Sequence, residues 1–360
     1  MHIGFVSGLS DHKLSQKLAP LQAMEEVSKI TLFRRQPFIG KKVVWQPMPG
    51  FASRNSWIGD LWRMVQLLYH GSKCDLLVGC HQRFHGVLAA IAGKVVNIPS
   101  AQLVITEFDV MWGHPAYRWA IRQAVLVGVR GQKAKGKSIN ALVNTSAITF
   151  IPPNLFSPTV LAESDLTGNR DIDILFVGSF TYEKNIPILV QVLERIKDKQ
   201  GSLKGCIIGK GPKENYLRKE LNKLGLQNDV KIIDHLPQAS LGAYYQRAKL
   251  LLLPSRSEGF PMVIPEAMGW GVPVVATDVG DISDIIIDGK NGFLAENGNC
   301  DALFEACNII IGDTNLAHTM SAQAKLTHNA FVTDSRLEVA VDAWQKALLN
   351  LRELSLLPTK

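Results

Sequence analysis

Cysteine is scarce in this chain. Cys74, Cys80, Cys206, Cys300 and Cys307 make an odd set with no CxxC pair. That argues against a disulfide framework and a structural zinc site, and reads as reduced, intracellular usage. Long apolar runs are missing too. No stretch reaches about 18 uninterrupted apolar residues, so no membrane-spanning helix is expected. "MHIGFVSGLS" has neither a basic leader nor a long apolar region, so no signal peptide is expected, and the expected location is the cytoplasm. Also absent are GxGxxG at the first strand, HExxH and GxSxG, and the "GSF…K" stretch after "ILFVG" lacks the GxxxxGK[ST] pattern of a P-loop. The nine histidines form no spaced metal cluster. Low-complexity tracts and short-period repeats do not occur.

What is present is a globular composition, 46% hydrophobic and 20% charged over 360 residues, enough for two domains with sizeable cores. The net charge of +7 is unevenly shared: residues 1–150 carry 18 Lys+Arg against 7 Asp+Glu, and the remainder is slightly acidic. A basic first half favours an anionic partner, whether a membrane face, a phosphorylated acceptor or a nucleic acid; the plain alternative is a solvated basic surface. Both halves alternate short apolar runs with helical patterns. "HIGFVSG", "SKITLFRR", "KKVVWQPMP", "CDLLVGCH" and "AQLVITEF" are strand candidates in the first half, with helices over 56–70 and 83–94. After the Pro/Ser/Thr/Asn-rich stretch 150–170 the pattern restarts, with strands in "DIDILFVGSF", "LKGCIIGKG", "DVKIIDHL", "LLLLPS" and "PVVATD". Helices are expected over 185–199, 214–224, 241–248 and 262–270, and a final one over 334–354. The fold class is therefore α/β, with two Rossmann-like domains facing a central cleft. The expected boundaries are 1–152, a linker 153–170, 171–335, and a terminal helix 336–360. Ligands in such folds bind past the carboxyl ends of the strands, here after Val6, Val177, Ile208, Leu253 and Ala276.

The loop after "LLLLPS" leads into "SEGFPMVIPEAMGWGVPVVATDVG", residues 257–280. Gly259 and Pro261 stop the strand, and Pro265 is tolerable only in the first turn of a helix. The amides of Met262, Val263 and Ile264 would then be free at the helix start, suited to an anion. Glu266 lies just beyond them and could accept from a ribose diol; the plain alternative is that it complements the helix terminus. Glu258 precedes the helix. Lys184, opening the helix after "SFTYEKN", could neutralise a diphosphate or be an ordinary surface lysine.

In order, "ILFVGSFTYEKN", "IIGKGP", "LLLLPSRSEGF", "EGFP…EAM…GVPVVATDVG" and "DGKNGFLAENG" resemble the retaining GT-B glycosyltransferases of family 4, over about 150–350. The resemblance implies a hexose-type transfer, with retention, from a UDP- or GDP-sugar to a glycan or lipid-linked acceptor in cell-surface polysaccharide synthesis. It needs no metal, cofactor or protein nucleophile, and it implies a terminal helix 336–360 that crosses back to the first domain. Glu266 resembles the glutamate that holds the donor ribose. Glu258 resembles the one at the donor sugar, beside the Gly259 and Phe260 backbone, with Met262 and Val263 at the helix start. Lys184 resembles the phosphate lysine, and Gly8 the glycine turn where substrates approach the backbone. The catalytic candidates are thus Lys184 and Glu258. Two departures stand out. Ser179 replaces an arginine that would clamp phosphate, with Lys210 or Arg256 as substitutes. Phe108, within Thr106-Glu107-Phe108-Asp109, replaces a histidine, which leaves His81 and Asp109 as acceptor-side candidates. The departures keep open a donor-binding protein that has lost transfer; a nucleotide-sugar 2-epimerase is another GT-B reading.

"SRNSWIGDLWRMVQLLYHGSK" places Trp57, Ile58, Leu61, Val65 and Leu68 on one helical stripe, with Trp62 and Tyr69 on another flank. It reads either as a core helix or as an interfacial helix that docks the basic half peripherally at the inner face of a membrane. "DID" at 171–173 precedes a strand, where a metal role does not fit. No nucleic-acid motif accompanies the basic surplus, so no nucleic-acid partner is expected.

Overall fold

Runs such as Leu76–Cys80 and Val274–Thr277 are apolar on both faces, and such strands are stable only between two helical layers. The computed structural model builds two such assemblies and describes residues 1–80, 84–104, 112–129, 148–150, 170–334 and 336–357. The chain divides into two units, Met1–Phe156 with Asp334–Lys360, and Ser157–Thr333.

In the first unit the order is β1 (His2–Val6), α1 (Asp11–Ala23), β2 (Lys29–Phe33), β3 (Val43–Gln46), α2 (Gly50–Arg54), α3 (Ser56–Gly71), β4 (Leu76–Cys80), α4 (His85–Val96), β5 (Ser100–Leu103), α5 (Pro115–Gln123), β6 (Leu126–Val129) and β7 (Ile148–Phe150). The strands form one parallel sheet in the order β3-β2-β1-β4-β5-β6-β7. The second unit has β8 (Ile172–Val177), α6 (Ile186–Gln200), β9 (Gly205–Ile208), α7 (Glu214–Lys223), β10 (Val230–Ile233), α8 (Gln238–Arg247), β11 (Ala248–Leu253), α9 (Val263–Gly269), β12 (Val274–Thr277), β13 (Gly292–Ala295), α10 (Cys300–Gly312) and α11 (Thr314–Asp334). Its sheet is also parallel, ordered β10-β9-β8-β11-β12-β13. The last helix, α12 (Leu337–Glu353), belongs to the first unit: Trp344, Leu348 and Leu351 join Leu14, Leu18 and Leu21 in its core.

Three features differ from expectation. Periodicity did not single out α1, α5, β6, β7, β13, α10 or α11; four-residue strands such as "LVGV" and "GFLA" are too short to show a period, and α1 contains Pro20. Arg170 is not linker: its guanidinium donates to the carbonyls of Ala248, Trp270 and Gly271, the last two both at 3.0 Å, and so ties the start of the second unit together. The remainder of the linker lies outside the described residues. Finally, the stripe on α3 is not core, apart from Leu68, which packs against the cluster holding Leu67 and Leu77. Its N-cap Asn55 accepts from the Trp57 N–H at 2.9 Å, and the packed face is Gly59, Arg63, Gln66 and Leu67. Trp57, Ile58, Leu61 and Val65 are exposed, as is Tyr69; Trp57 is 82% exposed.

Candidate donor site in the second unit

The sheet registers bring the turns after β8, β9, β11 and β12 to one edge of the second unit. The first two turns pack on each other. Phe180 N–H donates to the Lys210 carbonyl at 3.0 Å, and Lys213 N–H to the Phe180 carbonyl at 2.9 Å. Gly209 makes this approach possible, since a Cβ there would lie 1.9 Å from the Gly178 carbonyl oxygen. The β8 turn then delivers Lys184 and Asn185. Asn185 takes a left-handed backbone, φ 52°, and caps α6.

Lys184 Nζ donates to Glu258 Oε1, and Ser255 Oγ donates to the same oxygen at 2.6 Å. The two charged side chains are only 16% and 10% exposed. Ser255 is fixed in turn, because its carbonyl accepts from Thr277 Oγ1 on β12. Among the described residues nothing else bonds the Lys184 ammonium or Glu258 Oε2. Lys184 therefore keeps two N–H donors, and Glu258 keeps a whole oxygen, for a ligand. Gly280, φ 59°, closes the loop: the Glu258 and Gly259 carbonyls leave no room for a side chain, and a Cβ would lie 2.1 Å from the Glu258 carbonyl oxygen. Asp281 N–H donates to the Gly259 carbonyl at 3.1 Å.

Glu266 is held separately, on α9. Gln238 Nε2 donates to Oε1 at 2.6 Å and Tyr245 OH to Oε2 at 3.1 Å. Burial pushes the Glu266 carboxyl up to about 7, against the two hydrogen bonds that favour its ionised form. The Tyr245 hydroxyl is held well above its ordinary range by its own burial and by the Glu266 charge. α9 is positioned from behind by His328, whose Nδ1 lies 2.7 Å from the Pro265 carbonyl. Burial keeps this imidazole below its ordinary value, so the neutral ring donates to that carbonyl.

The site residues expected from sequence thus fall into groups. Lys184 and Glu258 are in direct contact. Ser179 is an exposed residue of the β8 turn, with no guanidinium in its place; Lys210 is exposed on the β9 turn, whose backbone pairs with Phe180, and Arg256 lies over the Tyr182 ring at 4.7 Å. Phe260 is core, stacked on Phe331 at 5.3 Å, so only its backbone is available. Of the three amides expected at the helix start, Ile264 N–H is already bonded to the Pro261 carbonyl at 3.1 Å; Met262 and Val263 precede the first intrahelical acceptor. Gly8 belongs to the first unit, where a Cβ would lie 2.4 Å from the His85 ring. His81, Phe108 and Asp109 lie outside the described residues. Sequence reasoning missed Ser255, Gln238, Tyr245 and His328. Ser255 stood within the quoted "LLLLPSRSEGF"; the other three reach the site from α8 and α11, and no local spacing signals that.

Two parallel-sheet α/β units, with glycine-bearing turns on the carboxyl edge of the second, have the GT-B fold. Over 98% of this chain and 100% of theirs, the fold matches Anabaena Alr3699/HepE in complex with UDP-glucose, at 18% identity and a TM-score of 0.74. The lipopolysaccharide outer core galactosyltransferase WaaB matches over 97% of this chain and 99% of its own, at 18% identity and TM-score 0.72. Residues 162–327 match the family Glycosyl transferases group 1. An uncharacterized glycosyltransferase of Methanocaldococcus jannaschii is 32% identical over 183 residues, 50% of this chain and 46% of that protein. The chain spans about half the length of the curated relatives it matches.

Proposed function

We propose that the protein is a retaining glycosyltransferase that moves a hexose-type sugar from a UDP- or GDP-sugar to a glycan or lipid-linked acceptor in cell-surface polysaccharide synthesis. The observation that carries this is the Lys184–Glu258–Ser255 contact, with an ammonium and a carboxylate oxygen left over for a ligand. The UDP-glucose in the Anabaena neighbour supports UDP as the first nucleotide to try. In this reading Glu266 accepts from the ribose hydroxyls, and Lys184 stabilises the diphosphate as the bond to the sugar anomeric carbon breaks. The acceptor hydroxyl then attacks on the leaving-group face. Lys184 supplies the counter-charge, so no metal or cofactor is required; activity should survive a chelator.

A thermal-shift screen against UDP-, GDP- and ADP-sugars, followed by assay of nucleotide release, tests the proposal. A UDP- or GDP-sugar should raise the melting temperature and be turned over. No stabilisation by any of them would refute the donor site. Binding without release would favour the second reading, a donor-binding protein lacking transfer, to which Ser179 points.

Among the described residues no helix is long and apolar enough to cross a membrane. The exposed Trp57, Leu61, Val65 and Tyr69 on α3, with Phe51 on α2, support peripheral docking to an anionic lipid surface. Sedimentation with phosphatidylglycerol vesicles should pull down the wild type and not Trp57→Ser/Leu61→Ser; equal behaviour would remove the membrane role.

A further inference from the structure

At the carboxyl edge of the first unit's sheet is a cavity of about 480 Å³. Its walls come from four places: Gly8 to Ser10 after β1, Arg34 to Gln36 after β2, Asp60 and Arg63 on α3, and His85 at the start of α4. Three arginines against one aspartate line it. Arg34 and Arg63 are 3% and 2% exposed, a rare state for an arginine unless its donors are used. Their donors are used only in part. Arg34 donates to Asp11 Oδ1 at 2.8 Å and to Gln36 Oε1 at 3.3 Å. Arg63 donates to Asp60 Oδ1 at 2.9 Å, while its Nε–H is buried with no partner. Arg35 has no carboxylate partner among the described residues; it donates only to the Ser56 and Asn55 carbonyls, at 3.0 and 3.4 Å. Burial lowers the proton affinity of Arg63, Asp60 opposes that, and the Arg35 charge adds to it. Two like charges held close in a cavity call for an anion that both can reach. Guanidinium forks match the planar carboxylate and the tetrahedral phosphate alike.

We propose that this cavity binds an oxyanion, a phosphate or carboxylate, carried by the sugar acceptor. The assignment to the acceptor rests on the transferase reading above, since that reading gives the donor to the second unit; the oxyanion site itself does not depend on it. The enzyme would accordingly act on an acidic acceptor, and its first-unit arginines would set that specificity.

The test is calorimetric titration of the full chain, with UDP at saturation, using inorganic phosphate, glucuronate and glucose as probes. Wild type should bind phosphate, glucuronate or both, and not glucose. Arg35→Gln, at a half-exposed position, should weaken the anion about tenfold. Arg63→Lys, which keeps the charge and loses the fork, should weaken it as well. Phosphate alone would assign a phosphorylated acceptor, and glucuronate alone a uronic acid. Absence of anion binding, or binding unchanged in both variants, overturns the proposal. UDP titration of the same proteins separates the two readings: UDP binding without the arginine-dependent anion defeats only this proposal, and the reverse defeats only the donor site.

Discussion

Glu266 is the residue whose chemistry is most exposed to a simple test. Its carboxyl titrates near 7 when folded, against an ordinary value of 4.5, because burial outweighs the help of Tyr245 and Gln238. Between those values the native state holds the extra proton. The stability this group contributes is therefore present below about pH 4.5 and is lost as pH rises through about 7. Ligand binding runs the other way. A ribose diol donates better to the ionised carboxylate, so affinity for UDP-glucose, whose phosphates do not titrate in this range, should rise several-fold from pH 6 to pH 8. Glu266→Gln should flatten the profile, as read by calorimetric titration across pH. At Lys184 the contact with Glu258 makes the prediction different. Lys184→Ala should lower turnover by about 10²–10³-fold by removing the leaving-group cation, with a smaller effect on the KM for donor. A turnover equal to wild type would show that the ammonium serves only to pair Glu258. The identities of Lys184, Glu258 and Glu266 could be read from an ordered series of motifs. Tyr245 and Gln238 could not, because they meet Glu266 only after α8 packs against α9 and Trp270.

At the scale of elements, the site depends on turns that pack backbone against backbone. Gly280→Ala would place a methyl 2.1 Å from the Glu258 carbonyl oxygen on a left-handed residue, so it should cost about 2–4 kcal/mol and weaken donor binding together. Denaturant unfolding and nucleotide titration of the one variant measure both; loss of stability with unchanged affinity would show that the Glu258 loop is positioned by other contacts. Periodicity was a good guide where a strand is buried on both faces and is followed by a clear helix, as with β8–α6 and β9–α7. It was a poor guide on α3. An apolar stripe has the same period whether a sheet or solvent covers it, and here Arg63 and Gln66 face inward while Trp57 and Leu61 face out. That inversion hid the arginine cavity in the sequence: Arg34, Arg35 and Arg63 come from two elements and share no motif.

At the scale of the molecule, the chain leaves its first unit, builds the second and returns to the first through α12. Trp344 is 1% exposed in the first unit's core, so Trp344→Ala should cost that unit about 3–5 kcal/mol. In scanning calorimetry the transition of the first unit should fall, while UDP-glucose should still stabilise the second. The alternation of strands and helices made two α/β units legible, since each unit repeats the pattern within itself. The return of α12 was legible only through the family resemblance, because an amphipathic helix does not state which core it covers. The central claim is that the second unit holds a nucleotide sugar through Glu266 and Lys184. Calorimetric titration of wild type and Glu266→Ala with UDP-glucose at pH 8 tests it most directly. Saturable binding by the wild type, weakened about tenfold or more in the variant, is the expected result; equal affinity in both proteins would contradict it.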